Sequence, residues 1–289
     1  MSRNRGSVLL VTLLATALLS SVAIVEATHV SMELKWANHL QEYRRAWSLA
    51  WTGLQVASQE LASDPNPMWD APKENWGQFS QDPTELPSGK FQYRIVDEQA
   101  RIPLNSTPVE RVALLPGFTL PSANELVSRR LEGKAISHFG ELLLLKGFQK
   151  EALPDLMPLV TLYGSGPVNI NTASAPVLTR LGLSSALASQ IVQLRAGADG
   201  KSGSADDVIF PDVTQIIPMI EAKSGPLLPE DQTAMGNLIS AQQIGVRSAF
   251  FQVEAEGWAN PHGVHKKVTA VMERSEPNSK PEVRGWYED

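Results

Sequence analysis

The feature that most constrains this chain is an uncharged apolar run close to its N-terminus. From Val8 to Val25 the sequence contains no charged residue. A helix of that length, at ~1.5 Å per residue, is about long enough to cross the ~30 Å hydrocarbon core of a bilayer. Arg3 and Arg5 precede the run, and basic flanks stay on the cytoplasmic side. The sequence therefore predicts a membrane-inserted helix with a short cytoplasmic N-terminus and the bulk of the chain across the membrane.

Three interpretations of this run remain open from the residues alone. A cleaved secretory signal needs a polar, small-residue cleavage site after its apolar core. Here the chain keeps a helical composition, with no Gly or Pro between Val25 and Gly53. The second interpretation is a plain single-pass anchor. The third is a type IV pilin-like N-terminus, which is cut after a Gly ahead of the run and keeps the helix for assembly. A basic residue, Gly6, the small Ser7 and an apolar helix, in that order, resemble the third class.

The helix is predicted to continue beyond the membrane as an amphipathic stem. Apolar side chains recur there at spacings of three and four, which places them on one face. They are Leu34, Ala37, Leu40, Tyr43, Ala46, Trp47, Ala50, Leu54, Ala57 and Leu61. Pro65 and Pro67 forbid a further helical turn. We therefore expect the stem to end near Ser63 and to pack with its C-terminal half on its own domain.

The composition argues against several classes of protein. An apolar content of 43% is ordinary for a globular chain and argues against disorder. The net charge of −6 argues against a general nucleic-acid binder, which carries a basic face. Without cysteine, the chain can form neither a disulfide framework nor a thiolate zinc site. It also lacks a Gly-x-Ser-x-Gly elbow and a phosphate-binding loop with Lys, so no enzymatic activity is predicted.

Two widely separated strand patterns predict a small antiparallel sheet. Residues 90–98 alternate between apolar and polar side chains, and so do residues 249–258. Residues 263–274 contain a partner strand, which a turn at 260–263 joins to the second. Residues 106–245 instead have the pattern of several short helices. Such an insert between sheet-forming segments is unusual and therefore informative.

The predicted fold class is α+β. It combines a long N-terminal helix and a small antiparallel sheet with a large all-α insert, of the helix-hairpin-helix or SAM-like kind, between the sheet strands. The predicted boundaries are a leader over 1–6, the N-terminal helix over 7–63, the sheet unit over 64–105 and 246–274, the insert over 106–245, and a flexible tail over 275–289.

A helix-hairpin-helix pattern lies within the insert. A short helix is followed by a turn at Gly182–Ser184 and a second helix over 185–194. DNA-binding units of this kind use exposed backbone N–H groups at a Gly-x-Gly hairpin together with basic neighbours. Here the second Gly is missing, and Arg180 and Arg195 are the only charged residues of the motif. A packing module is favoured, and a membrane-anchored periplasmic DNA-binding or uptake protein is the alternative function.

Four segments, in a fixed order, are similar to those of one known family. They are Arg5–Leu10, Ile95–Asn105, Val168–Ala173 and Val246–Phe251. Together they resemble the K-type minor pseudopilins of the type II secretion system, the general secretion pathway protein K family. The third segment, Val-Asn-Ile-Asn-Thr-Ala, is the most specific of the four.

One departure from most pilin-like proteins fits this resemblance. Those proteins resemble one another in carrying a Glu at the fifth position of the mature chain, where it faces the N-terminal amine of a neighbouring subunit. If cleavage follows Gly6, the fifth residue here is Val11. A carboxylate inside a bilayer is costly unless it is paired. Because a subunit at the filament end lacks a neighbour on one side, an apolar Val11 is compatible with a tip position. A second departure is Ser7, which stands where Phe is commoner.

The resemblance implies a structural, non-enzymatic role. A prepilin peptidase would cut after Gly6, and Ser7 would be N-methylated. The subunit would join I- and J-type minor pseudopilins and other pseudopilins, cap the tip of a short periplasmic filament and help to initiate its assembly. Exported proteins and the outer-membrane secretin are further implied partners, whereas nucleic acid is not. The protein would be a single-pass inner-membrane protein with a periplasmic bulk. Filament packing would involve Val8, Leu9, Leu10, Val11, Leu13, Leu14 and Leu18.

A polar loop over 197–207 is either a candidate calcium site or a solvated loop. Its hard oxygen donors, with one acidic residue beyond it, are Asp199, Asp206, Asp207 and Asp212. The spacing fails the EF-hand pattern, because Lys201 and Gly203 stand where acidic or amide ligands belong. Members of the resembled family bind calcium in the helical domain, so the resemblance implies calcium as a cofactor without assigning ligands.

Overall fold

The structure, a computed structural model, describes residues 4–66, 68–78, 82–259, 263–276 and 279–288, and the side chains from Ser7 onward. Its longest element is the helix α1 (Asn4–Ala62). The helix ends within a residue of the predicted position. The Asp64 carboxylate accepts a hydrogen bond from the Asn66 backbone N–H (2.8 Å), which turns the chain, and Pro65 cannot continue the helix.

The remaining elements are short. The strands are β1 (Thr84–Leu86), β2 (Gly89–Asp97), β3 (Ile102–Pro103), β4 (Val160–Thr161), β5 (Val168–Asn169), β6 (Ile244–Gly245), β7 (Phe250–Trp258), β8 (His265–Glu273) and β9 (Glu282–Glu288). The helices are α2 (Val109–Val112), α3 (Leu120–Leu131), α4 (Leu153–Leu156), α5 (Ala175–Arg180), α6 (Ser185–Arg195), α7 (Ile216–Ser224) and α8 (Pro229–Ser240). Turns of 3₁₀-helix lie at Asn75–Gly77, Glu98–Ala100, Phe139–Leu144, Lys150–Ala152 and Val213–Gln215.

Five strands form one antiparallel sheet in the order β1-β2-β7-β8-β9. The predicted alternation in β7 is confirmed, because Phe251, Val253 and Ala255 are buried and their neighbours are half-buried. The buried face packs against the C-terminal half of α1. The turn predicted at 260–263 lies outside the described residues except for Gly263.

The prediction of a flexible tail over 275–289 is wrong for Glu282–Glu288, which form β9 at the edge of the sheet. Arg284 is ion-paired with Glu273 of β8 at 2.5 Å. Trp286 meets Trp51 of α1 edge to face, with ring centroids 6.4 Å apart. Trp51 is distant in sequence, and strand formation that depends on such a contact leaves no local pattern in a tail with several charged residues.

The segment between β2 and β7 is mostly helical, as predicted, but it is not all-α. Two pairs of two-residue parallel strands, β3 with β4 and β5 with β6, lie close to where the chain leaves and rejoins the sheet. Pairs this short escape a search for alternation, which needs about four residues.

Two separate hydrophobic cores result. One lies between α1 and the sheet and includes Leu54, Leu61 and Phe251. The other lies among the insert helices and includes Leu126 and Phe210. The polar joint described below links the two bodies.

Candidate assembly helix and its anchoring joint

The N-terminal part of α1 is exposed on all sides. Every described side chain from Ser7 to Gln41 is exposed. Within the described residues, this is the one helix long and apolar enough to cross a membrane. The side chains predicted to pack in a filament are each exposed by 62–69%: Val8, Leu9, Leu10, Val11, Leu13, Leu14 and Leu18. The structure thus presents an apolar helix surface, and cleavage after Gly6, methylation of Ser7 and filament packing stay predictions.

Four hydroxyls of this exposed part are hydrogen-bonded within the helix itself. The hydroxyls of Thr12, Thr16 and Ser21 donate to backbone carbonyls one turn earlier, at 2.7–3.0 Å. Thr28 does the same at 2.7 Å. Hydroxyls bonded in this way cost little in lipid or in an apolar subunit interface. The helix can therefore exchange one apolar environment for another.

The second half of α1 lies on the sheet at very short range. Ala46, Ala50 and Ala57 are fully buried there. Opposite them, a Cβ on Gly257 of β7 would lie 2.3 Å from the Ala46 carbonyl oxygen. The small residues on both sides therefore bring the helix backbone almost onto the strand, which fixes the position of the helix.

Aromatic side chains and one carboxylate hold α1 to β9. Trp47 and Trp51 are stacked with ring centroids 5.6 Å apart. The indole N–H of Trp47 donates to Glu288 Oε1 at 2.6 Å, and the Tyr43 hydroxyl lies 3.4 Å from Glu288 Oε2. The last described residue of the chain is thereby attached to α1 just after the exposed part of the helix ends.

A buried ion cluster closes the end of α1. Arg274, just after β8, donates to Asp64 at 2.6 Å and to Asp70, and it also reaches the Ser248 carbonyl oxygen at 3.2 Å. All three charged side chains are nearly inaccessible. Burial raises the pKa of Asp70 to about 6, against the opposing effect of Arg274. Leaving any one of these charges without its partner would be strongly destabilising.

Asn169, in the most specific of the four family-like segments, is the central contact between the insert and the sheet. Its amide nitrogen lies 3.0 Å from the Asp70 carbonyl oxygen, from Asp97 Oδ2 and from the Ser248 hydroxyl. Its Oδ1 accepts the Asn171 backbone N–H at 2.9 Å. One side chain thus joins the loop after α1, the end of β2 and the start of β7.

The contacts among Asn169, Asp70, Asp97 and Ser248 form the polar joint between the insert and the sheet. Asp97 is the acceptor at its centre. It is almost fully buried, and burial raises the pKa of its carboxyl. Four donors lower it again: the hydroxyls of Ser248 (2.6 Å) and Thr172 (2.5 Å), the Gln99 N–H (2.8 Å) and the Asn169 amide. Such a set of donors stabilises an ionised carboxylate without a countercharge.

The rest of the family-like segment anchors the insert internally. The Asn171 side chain makes two hydrogen bonds to the backbone of Phe210. Its Oδ1 accepts the Phe210 N–H at 2.9 Å, and its Nδ2 donates to the Phe210 carbonyl oxygen at 3.0 Å. Arg195 donates to the carbonyls of Ile170 and Ala173. Burial lowers the pKa of Arg195 to about 10. The motif is therefore a structural clamp, in which hydrogen-bonding polar residues stand between the buried apolar residues Val168, Ile170 and Ala173.

Glu74 carries an unsatisfied buried oxygen next to this joint. Its Oε2 accepts the Ala71 N–H at 2.9 Å and the Trp76 indole N–H at 3.0 Å. Its Oε1 is buried and has no hydrogen-bond partner among the described residues. Burial, with the charges of Asp64 and Asp70 nearby, raises the pKa of Glu74 to about 8. The group is therefore mostly protonated at neutral pH.

The helix-hairpin-helix pattern forms as predicted but offers little to a phosphate. The backbone N–H groups of Gly182 and Leu183 already donate to carbonyls within the motif, at 3.0 and 3.3 Å. Arg111 donates to the Leu181 carbonyl, and Arg180 donates to another backbone carbonyl at 3.1 Å. Both the amides and the cations at the hairpin are thus used in packing, which disfavours the DNA-binding alternative.

The acidic loop does not form a metal cage. Asp206 Oδ2 accepts the Ala198 N–H at 2.6 Å, Asp207 Oδ2 accepts the Gly203 N–H at 2.7 Å, and Asp199 Oδ1 accepts the Lys201 N–H at 2.8 Å. Within the described residues no three His, Asp or Glu side chains are grouped to hold a metal ion.

The fourth predicted calcium ligand, Asp212, has another role. It caps the turn Val213–Gln215 through Thr214, whose N–H it accepts at 2.8 Å. The residues as arranged therefore do not fit a preformed calcium site, and calcium binding stays a prediction from the family resemblance.

Sequence reasoning missed Arg274, Asp64 and Asp70. They lie in segments without periodicity, and Arg274 is 204 and 210 residues from its partners. The signal available was indirect, because Asp64 opens a Pro-rich loop and Arg274 ends a strand.

Comparison with known proteins adds a structural match only. No family model and no curated protein matches the sequence. Among solved structures, the chain is similar to one chain of the GspK-GspI-GspJ complex from the type 2 secretion system of enterotoxigenic Escherichia coli, with a TM-score of 0.62. The match covers 88% of this chain and 99% of that chain at 17% sequence identity. The long helix, the antiparallel sheet and the helical insert of this chain, together with a match this wide, confirm the predicted α+β fold.

Proposed function

We propose that this chain is a K-type minor pseudopilin of a type II secretion system. In this role it is a non-enzymatic, membrane-inserted subunit that caps a periplasmic pseudopilus and helps to initiate its assembly. The observation that carries the proposal is the combination of an exposed apolar helix with a sheet interrupted by a helical insert. That combination occurs in a fold shared with a chain of the GspK-GspI-GspJ complex.

The exposed part of α1 supports the step from membrane to filament. Its surface from Val8 to Val25 is apolar and without charge, and the hydroxyls of Thr12, Thr16 and Ser21 are bonded within the helix. Moving such a helix from lipid into a bundle of similar helices needs no desolvation of a charge and gains close packing. Val11 stands where most pilin-like proteins carry a Glu, so this helix has no buried carboxylate that would need pairing with the N-terminal amine of a neighbouring subunit.

The insert supports a position at the filament end. The contacts of Asn169 and Asp97 hold the insert to the sheet, so its orientation relative to the sheet is fixed. A body of this bulk above the sheet would obstruct the addition of another subunit on that side. Exported proteins and the outer-membrane secretin are the partners proposed for its outer surface.

The partners proposed for the sheet unit and α1 are I- and J-type minor pseudopilins, with other pseudopilins below them. The similar solved structure is a complex with GspI and GspJ. The protein would sit in the inner membrane by a single span, with Arg3 and Arg5 in the cytoplasm and the sheet and insert in the periplasm.

N-terminal mass spectrometry of the membrane-extracted chain tests this function. With a prepilin peptidase present, we expect a chain that begins at N-methylated Ser7. Without the peptidase, residues 1–6 should remain. Gly6→Leu should retain the leader in both cases, whereas Ser2→Ala should be processed normally. Retention of the leader in the wild-type chain under both conditions would make α1 a plain anchor and refute the proposal.

A further inference from the structure

The acidic loop (residues 197–207) is closed by hydrogen bonds between its own groups. Asp206 Oδ2 accepts the N–H groups of Ala198 and Asp199 at 2.6 and 3.2 Å. Asp199 Oδ1 and Asp207 Oδ2 each accept one further backbone N–H, at 2.8 and 2.7 Å. A carboxylate that accepts backbone N–H bonds is stabilised in its ionised form without a metal ion. These four N–H groups therefore provide part of the stabilisation that a bound cation would provide.

The Ser204 hydroxyl lies where the three carboxylates of the loop come together. Its Oγ is 2.5 Å from Asp206 Oδ1, 3.1 Å from Asp207 Oδ1 and 3.4 Å from Asp199 Oδ1. A calcium ion held by the same oxygens would need a central position at about 2.3–2.6 Å from each of them. A side chain of the loop takes that central position instead. The Ser204 hydroxyl and the backbone N–H groups also hold the pKa of Asp206 below its usual range.

A cation from another part of the chain binds carbonyl oxygens of this loop. The Lys73 ammonium, in the segment between α1 and β1, donates to the Ala205 carbonyl oxygen at 2.5 Å and reaches that of Asp207 at 3.4 Å. Backbone carbonyls are among the oxygen ligands that calcium uses in proteins. An ammonium is a compact positive charge with three donors, so it can bind the same kind of oxygen. Lys73 thus brings a positive charge to a loop that contains three carboxylates.

Gln78 and Gly203 hold the segment of Lys73 against the loop. Gln78 Nε2 donates to the Gly203 carbonyl oxygen at 2.7 Å and to the carbonyl oxygens of Pro72 and Lys73 at 3.1 and 3.3 Å. A Cβ on Gly203 would lie 3.3 Å from the Pro72 carbonyl oxygen, so the two backbones approach closely. The insert is therefore attached to the segment after α1 at a second place, apart from the polar joint.

We propose that Lys73 is the built-in cation of the acidic loop, and that its ammonium orders this loop in place of a bound metal ion. This inference goes beyond the function proposed above, and it departs from the calcium cofactor that the family resemblance implies. To bind here, calcium would have to displace the Ser204 hydroxyl from the carboxylates or the Lys73 ammonium from the carbonyl oxygens. The attachment of the insert to the segment after α1 is then independent of the calcium concentration.

Hydrogen exchange at single-residue resolution, on the full-length chain in detergent, tests this proposal. The amides that donate to the loop carboxylates report whether the loop is closed, and they are those of Ala198, Asp199, Lys201 and Gly203. In the wild type we expect equal exchange rates in excess calcium chloride and in excess EGTA. Lys73→Met removes the ammonium and keeps an unbranched apolar side chain. It should speed the exchange of these amides by about fivefold or more, because it removes hydrogen bonds from a charged donor.

Lys201→Met is the matched control, because it removes the same charge from the loop itself. Lys201 is exposed and takes part in the closed loop through its backbone N–H. We expect Lys201→Met to exchange at the wild-type rates in calcium chloride and in EGTA. Both variants should melt like the wild type, since Lys73 and Lys201 are exposed. Faster exchange in Lys73→Met would then report opening of the loop and not loss of the whole fold.

The outcomes separate Lys73 from a metal ion as the group that orders the loop. Equal wild-type rates in calcium chloride and EGTA, with faster exchange in Lys73→Met alone, support the proposal. Slower exchange of the wild-type amides in calcium chloride would show that a metal ion orders the loop and would overturn it. Wild-type exchange in Lys73→Met, or equally fast exchange in Lys201→Met, would overturn it as well. None of these outcomes bears on cleavage after Gly6, so the proposed function is tested separately.

Discussion

At the scale of single residues, Asp97 decides whether the insert stays attached to the sheet. Asp97→Ala would remove the acceptor that the Asn169 amide and the hydroxyls of Thr172 and Ser248 share. The Asn169 amide would keep the Asp70 carbonyl oxygen and Thr172 would keep the Asn169 carbonyl oxygen, whereas the buried Ser248 hydroxyl and the Gln99 N–H would lose their acceptor. Because each unsatisfied buried group costs about 1–3 kcal/mol, we expect a loss of roughly 2 kcal/mol or more in the free energy of unfolding. Denaturant unfolding of the full-length chain in detergent measures it.

The control for this change is Asp155→Ala, which removes an exposed carboxylate from α4. It should shift the unfolding midpoint little, because surface substitutions usually act within about 0.5 kcal/mol. An Asp97→Ala midpoint equal to that of Asp155→Ala would show that the hydrogen bonds around Asp97 contribute nothing to stability.

Glu74 gives the protein a pH dependence of defined sign. Its pKa is raised from 4.5 to about 8, so the folded chain keeps a proton that the unfolded chain has already lost. The free energy of unfolding therefore falls as pH rises between these two values. We expect a lower melting temperature at pH 8 than at pH 6, and Glu74→Gln should flatten this slope.

The difference in slope between the wild type and Glu74→Gln isolates Glu74 from its neighbour. Asp70, with a pKa of about 6, contributes a slope of the same sign up to about pH 7, and it does so in both proteins. Exposed Glu151→Gln is the matched control and should keep the wild-type slope. A Glu74→Gln variant with an unchanged slope between pH 6 and 8 would show that Glu74 is already ionised in the folded chain.

The joint shows what sequence can and cannot predict about single residues. The Val168–Ala173 segment is recognisable because its polar residues stand in a fixed local order. Its function as a clamp is not, because the partners of Asn169 are 72 to 99 residues away. A buried polar contact of that kind is fixed by the fold as a whole and leaves no periodic signal.

At the scale of elements, the position of α1 depends on the absence of a side chain at Gly257. A methyl group there would lie 2.3 Å from the Ala46 carbonyl and 2.4 Å from the Ala50 nitrogen, so the helix would have to move off β7. Gly257→Ala should therefore cost about 1–3 kcal/mol as overpacking. Thermal unfolding of the full-length chain measures this loss.

Gly236 in α8 is the matched control, because a Cβ there meets nothing within 4 Å. Gly236→Ala should be neutral or stabilise by up to about 1 kcal/mol through helix propensity. If Gly257→Ala behaved in the same way, α1 would not be held on β7 by the close backbone contact.

Elements whose apolar pattern repeats over many residues were predictable from the sequence. Very short strands and the strand in the C-terminal tail were not. α1 and β7 follow their patterns of 3.6 and 2 over many residues, so their buried faces were predicted correctly. By contrast, β9 carries charges at Glu282, Arg284 and Glu288 and depends on Trp51 and Glu273 for its place in the sheet. Local pattern alone cannot distinguish such a strand from a loose tail.

At the scale of the whole molecule, α1 serves two purposes in one continuous helix. Its first part is exposed throughout, whereas its second part supplies Ala46, Leu49, Ala50, Leu54 and other side chains to the core beneath the sheet. The two parts of α1 therefore divide at about Gln41. Folding of the sheet and insert should depend on the second part alone, and membrane insertion and assembly on the first.

Two N-terminal truncations test this division. A chain of residues 41–289 keeps every buried residue of α1, as well as Tyr43 and Trp47 next to Glu288. We expect it to be water-soluble, to keep near-ultraviolet circular dichroism and to melt cooperatively within a few degrees of the full-length chain. A chain of residues 55–289 also lacks Ala46, Leu49, Ala50 and Leu54. Losing a buried Leu costs about 2–5 kcal/mol. The combined loss from these four residues should therefore exceed the usual free energy of unfolding, and this shorter chain should fail to fold. A 41–289 chain without fixed tertiary structure would instead mean that the exposed part of α1 supports the fold of the domain it carries.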